Sequence, residues 1–139
     1  MQKIIRISLV IALLATVLLS ACTKDSNTIP AGTDIRAAIA GNWLVNEQYT
    51  KNTYEVTLSK DTASTDGVLI NNFGASGVNV TAIAYLSGTT LNLKTNELLS
   101  NGWVVNGSGT LSGTSKIIWV YTIHDGANQI NAQATYLKQ

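Results

Sequence analysis

Cysteine, histidine, proline, methionine and phenylalanine each occur once in the 139-residue chain. A lone cysteine excludes an intramolecular disulfide and any cysteine-based zinc cluster. A lone histidine excludes a polyhistidine metal site. One proline beside eleven glycines leaves neither a proline-rich linker nor a collagen-like repeat. Charge is also scarce: 12% of residues are charged, about half the ordinary share, and the formal net charge is +1. Such a chain has neither the basic surface that grips nucleic acid nor the charge density of a disordered polyelectrolyte. Catalytic constellations are missing too. No Gly-x-Ser-x-Gly elbow occurs. Gly107-Ser108-Gly109 followed by Gly113 misses the spacing of a phosphate-binding loop. His124 and Asp125 are neighbours, and neighbours in a strand face opposite sides. The reading is therefore non-enzymatic, with no catalytic residues, cofactor, metal or nucleic-acid partner expected.

What is present begins with a leader. Lys3 and Arg6 precede an uncharged run from Ile7 to Leu19, in which only Ser8 and Thr16 are polar. The run is too short for a comfortable membrane span, which takes about 20 apolar residues. It fits the apolar core of a secretory signal peptide. Leu19-Ser20-Ala21-Cys22 then resembles the lipobox of bacterial lipoproteins: an apolar residue, two small residues, then cysteine. The resemblance implies cleavage after Ala21, a diacylglycerol on the Cys22 thiol and acylation of the new amino terminus. Each buried methylene contributes about 0.8 kcal/mol, and two acyl chains already hold stably, so a triacylated Cys22 anchors the chain permanently. Residues 1–21 then form the signal peptide, 22–32 a lipidated tether and 33–139 the folded domain. The expected location is the outer membrane, on its periplasmic side or at the cell surface. Losing Lys3 and Arg6 leaves seven basic residues against eight acidic ones.

Thr33 or Asp34 is placed to cap a short helix through Ile35, Ala38 and Ile39, ended by Gly41. After Gly41 the pattern is strand and turn. Asp66-Gly67, Ser87-Gly88, Asn101-Gly102, Ser112-Gly113 and Asp125-Gly126 punctuate alternating runs. Eight strands are predicted, at 42–49, 53–60, 67–73, 78–86, 89–95, 102–112, 115–124 and 128–137. The inward positions include Trp43 and Val45, Val56 and Leu58, Val78 and Val80, Trp103 and Val105, Trp119 and Tyr121, and Ala134 and Tyr136. In the third strand Val68 and Ile70 compete with Leu69 and Phe73 for the inner face. Eight strands joined by short connections favour closure into an antiparallel up-and-down barrel, because closure removes exposed edges. Apolar pairing of the first hairpin predicts Trp43 opposite Leu58, Val45 opposite Val56 and Glu47 opposite Tyr54, which separates Glu47 from Glu55 and puts Glu47 at a rim, facing inward.

Gly41-Asn42-Trp43 after a short helix, followed by Tyr54 to Lys60, Val68 to Phe73, Gly107 to Thr110 and Ala134-Thr135-Tyr136, resembles the lipocalin-like lipoproteins common in Bacteroidota. The resemblance covers residues 41–137. It implies that Trp43 closes one end of the barrel. In lipocalins an arginine of the last strand stacks there, whereas this chain offers Lys138. The candidate ligand-binding residues are Trp43, Glu47, Trp103, Trp119 and Tyr121, and the expected ligand is a small apolar or amphipathic molecule. Small inward residues (Ala82, Ala84, Gly107, Gly109, Ala132 and Ala134) either leave a pocket or offset the large aromatics in a filled interior. The alternative function is contact of a filled barrel's exterior with glycan or another protein. Asp61-Thr62-Ala63 also resembles a short O-glycosylation acceptor, at Thr62.

Overall fold

Alternation is visible strand by strand in the computed structural model, which describes residues 31–139. The leader, Ala21, Cys22 and the tether up to residue 30 lie outside the described residues. A five-residue helix, α1 (Ile35–Ile39), leads into β1 (Gly41–Glu47) and β2 (Thr53–Lys60). Next come β3 (Gly67–Asn71), a 3-10 turn (Phe73–Ala75), β4 (Thr81–Ser87) and β5 (Thr90–Leu93). A two-residue β6 (Glu97–Leu98), β7 (Val104–Ser112), β8 (Lys116–His124) and β9 (Gln129–Lys138) complete the chain. Every pairing is antiparallel, and both β5–β7 and β1–β9 are joined. The result is a closed eight-stranded up-and-down barrel with one extra short strand. β6 lies along β7 beyond β5: the six residues Asn92 to Glu97 run against the four from Ser108 to Val105. This bulge was not anticipated, because Lys94-Thr95-Asn96 carries no apolar alternation and Asn96 supplies the left-handed backbone the kink needs.

The first hairpin differs from expectation in register. Trp43 pairs with Val56 and Val45 with Tyr54, a shift of two positions. A two-residue shift keeps each side chain on its own face, so hydrophobicity alone does not distinguish the two registers. The turn decides: Glu47 Oε1 accepts from the backbone N–H groups of Tyr49 and Thr50, at 3.2 and 3.3 Å, and Glu47 Oε2 accepts from the Thr50 hydroxyl. Glu47 is thereby drawn into a longer loop and faces Ala134 of β9 rather than Tyr54.

The third strand is settled as well. Val68, Ile70 and Phe73 are all buried. Phe73 reaches the interior because the strand stops at Asn71 and the chain bends inward. Asn72 adopts a left-handed backbone; its side chain accepts from Gly77 N (2.8 Å) and donates to the Glu55 carbonyl (2.8 Å). That clamp replaces the expected start of strand four, and Val78, predicted inward, is 72% exposed.

The small inward residues turn out to be seats for large ones. A side chain at Gly109 would lie 2.6 Å from the Trp119 indole, and one at Gly107 2.4 Å from the Val120 carbonyl oxygen. Trp119 packs edge-on against Phe73, with ring centroids 5.1 Å apart, and tilts against Tyr136 at 6.0 Å. Each such aromatic removes roughly 150–250 Å² from water, a gross gain of about 4–6 kcal/mol per ring before entropy is charged. Most of the barrel is therefore filled.

Candidate functional site

The two ends of the barrel are built differently. At one end α1 lies across the opening. Asp34 is its N-cap, accepting from Arg36 N at 3.0 Å. The same carboxylate binds Lys60 Nζ at 2.6 Å and Arg36 Nε at 3.2 Å. These cations hold its pKa down, at about 2, with Lys60 the larger influence. Arg36 also donates to the Ser64 carbonyl at 2.8 Å, fastening the helix to the β2–β3 loop. Beneath the helix Trp43 is completely buried and its indole donates to the Ile39 carbonyl at 2.9 Å. Lys138, level with Trp43 on β9, donates its ammonium to the Ala38 carbonyl. Two carbonyls of the last helical turn, which a helix leaves without internal partners, are thus taken up by side chains of the barrel.

At the other end lie the β1–β2 loop, the Phe73 turn, the segment before β7 and the β8–β9 turn. Between them is a cavity of about 190 Å³ lined by Glu47, Thr50, Asn52, Gly74, Ala75, Trp103, Tyr121, Ile123, Ile130 and Ala132. Of the sequence-predicted candidates, Glu47, Trp103 and Tyr121 meet here. Trp43 and Trp119 do not: Trp43 belongs to the helix-covered end, and Trp119 is fully enclosed behind Phe73. A larger, open hollow of about 500 Å³ lies along β7, β8 and β9, lined by Asn106, Gly107, Val120, Tyr121, Thr122, Asn131, Ala132 and Gln133.

Tyr121, which lines the loop-end cavity, belongs to a cluster that the sequence pattern did not single out. Burial is the largest influence raising the pKa of each of Tyr54, Tyr121 and Tyr136. Their hydroxyls lie near enough to affect one another, and the Glu47 charge also raises Tyr54 and Tyr121. Proximity does not amount to satisfaction. The buried hydroxyls of Tyr54 and Tyr136 and the Trp119 indole N–H have no partner in hydrogen-bonding geometry. Alternation marks these tyrosines as inward, but no sequence signal shows that three phenols from β2, β8 and β9 converge.

Among the described residues no group of three His, Cys, Asp or Glu side chains is disposed to hold a metal ion. His124 and Asp125 are used locally: Gly126 N donates to His124 Nδ1 at 3.2 Å, while Asp125 accepts from Ala127 N and Asn128 N. Those backbone donors lower the Asp125 pKa. Thr62 is exposed in the β2–β3 loop.

Fold and cavity together define a class: small closed antiparallel barrels with one covered end and one hollowed end. No family model matches the chain, and no curated protein does. Solved structures do. The redesigned β-barrel b11L5F_LGL is 14% identical, with a TM-score of 0.51 over 79% of this chain and 99% of that one. EF1p2_mFAP2b bound to DFHBI is 15% identical, with a TM-score of 0.54 over 77% of this chain and all of that one. The redesigned barrel mFAP1 bound to DFHBI is 14% identical, with a TM-score of 0.52 over 76% of this chain and all of its own. At this identity the likeness is one of fold.

Proposed function

We propose that this chain is a non-catalytic, lipid-anchored envelope protein whose barrel binds a small apolar or amphipathic molecule at its loop end. The observation that carries the binding is the cavity lined by Trp103 and Tyr121 together with Glu47, Thr50 and Asn52. Such a site combines apolar walls with a few converging polar groups, the usual make-up of a small-molecule pocket. Barrels of similar fold bound to DFHBI support the capacity of the architecture to hold a ligand. The anchor rests on Leu19-Ser20-Ala21-Cys22.

Tryptophan emission of the full chain, titrated with small aromatic and aliphatic compounds, tests the binding. Saturable change that Trp103→Ala weakens supports it; no response from any compound sinks it. Labelled palmitate incorporated by the chain but not by Cys22→Ala tests the anchor separately. A second reading, contact through the exterior, is favoured by exposed Ile118, Val120 and Leu137 on the outer wall of β8 and β9. Val120→Glu would abolish such contact and leave ligand binding unchanged.

A further inference from the structure

The side chains that line the loop-end cavity narrow its ligand, a step that rests on reading the cavity as a ligand site. A dry cavity of about 150 Å³ holds one benzene. At about 190 Å³ the loop-end cavity takes a compact molecule of one ring and a small substituent. An extended acyl chain would leave most of its length outside.

Charge selects further. Among the described residues Glu47, half-buried at the end of β1, is the only carboxylate in the wall. Among the same residues no lysine, arginine or histidine lines the cavity, and none forms an ion pair with Glu47. Lys51, in the adjoining loop, is exposed and outside the lining. Glu97, a buried carboxylate in the segment before β7, is treated differently: Lys94 Nζ lies 3.4 Å from it. The groups that hold Glu47 are uncharged. Its Oε1 accepts from Tyr49 N and Thr50 N, and its Oε2 from the Thr50 hydroxyl. They fix the carboxylate in place and leave its charge uncancelled. A carboxylate has about four acceptor sites, so Oε2 keeps one open.

Trp103 and Tyr121 bring two aromatic rings to the same wall. Tyr121 is buried, and Phe73 braces its ring edge-on with centroids 4.8 Å apart. Indole and phenol rings attract cations electrostatically. Three ligand classes therefore fare differently. An anion meets a carboxylate and no cation. A neutral molecule takes the carboxylate out of water without pairing it, which costs free energy. A cation gains from the carboxylate and from the rings together.

We propose that the loop-end cavity takes a small organic cation, an ammonium group on a compact apolar body. The ammonium sits beside Glu47, Trp103 and Tyr121, and the apolar body lies against Ile123 and Ile130.

The full chain is titrated with three molecules of similar size: benzylamine (an ammonium at neutral pH), benzyl alcohol and benzoate. Binding is read by calorimetry and by tryptophan emission. Benzylamine is expected to bind about tenfold tighter than benzyl alcohol, with benzoate weaker than either. Glu47→Gln keeps an acceptor for the loop donors and loses the charge. It is expected to remove most of the benzylamine advantage while benzyl alcohol affinity persists, which also shows that the variant is folded. Trp103→Leu is expected to cut the advantage by about threefold, and it carries the test where Glu47→Gln does not fold. Benzyl alcohol binding as tightly as benzylamine, or an advantage that the folded variant keeps in full, overturns the cation assignment and leaves the cavity a ligand site. Preference for benzoate does the same. No response to any of the three overturns the ligand site and the cation assignment together.

Discussion

The helix-covered end and the loop end of this barrel are made from similar materials and finished differently. Each has a fully buried aromatic, Trp43 or Phe73, delivered by a short helical segment or by its neighbour strand. At the covered end the polar groups find partners: the Trp43 indole has the Ile39 carbonyl, the Lys138 ammonium has the Ala38 carbonyl, and Asp34 has two cations. At the loop end the Tyr54 and Tyr136 hydroxyls are left over, and space remains. A satisfied, close-packed end closes and stabilises; the other end keeps a void.

The hardest blow to the comparison is Trp43→Ala. It removes a fully buried indole and strands the Ile39 carbonyl, with an expected loss of about 3–5 kcal/mol in urea unfolding. Phe73→Ala should fall at the lower end of the same range, about 3 kcal/mol, because its void merges with an existing cavity. It should also admit ligands larger than one ring, seen as new binding of naphthalene-sized compounds. If Phe73→Ala proves costlier than Trp43→Ala, the covered end is not the stabilising one.

Lys138→Met keeps the aliphatic stem over Gly41 but removes the donor to Ala38. A loss of about 1–2 kcal/mol is expected, together with faster hydrogen exchange in α1. Tyr136→Phe sharpens the contrast by sign. If the hydroxyl is idle, its removal is neutral or stabilises the ligand-free protein by up to about 1 kcal/mol; a loss of that size would show that the hydroxyl is satisfied.

The smallest effect belongs to Asp34→Asn. The folded-state pKa of Asp34 is lowered from 3.8 to about 2, so its contribution is fully present above pH 3.8 and is lost as pH falls through 2. The stability gap between wild type and Asp34→Asn should close over that window. Because the pair is exposed, salt should narrow the gap as well.

Much of the barrel was legible. Period-two alternation located most of the strands, placed Val56, Leu58, Trp119, Ala134 and Tyr136 inside, and made closure the economical solution. The cap was narrowed to Thr33 or Asp34, short polar side chains before an apolar run, and the fold uses Asp34. Less was legible about the loop end. Strand four began three residues later than alternation suggested, because Asn72 uses its side chain to hold a turn. The first hairpin slid by two positions, because Glu47 binds loop backbone that periodicity does not describe. Trp43, Trp119 and Tyr121 all read as inward aromatics, and alternation gives no height along the barrel axis. It therefore did not tell that Tyr121 reaches the cavity while the two tryptophans do not.

By itself the sequence determined which face of most strands meets the core, β3 excepted, since alternate residues leave opposite sides of an extended chain and apolar ones are driven inward. It also carries, as a local pattern, the resemblance of Leu19-Ser20-Ala21-Cys22 to a lipobox. Tertiary structure alone decided where the barrel stays hollow and which hydroxyls are left facing one another. Those properties depend on strand register, on the inward bend at Phe73 and on side chains from β2, β8 and β9 meeting across the interior, distances that no local pattern encodes.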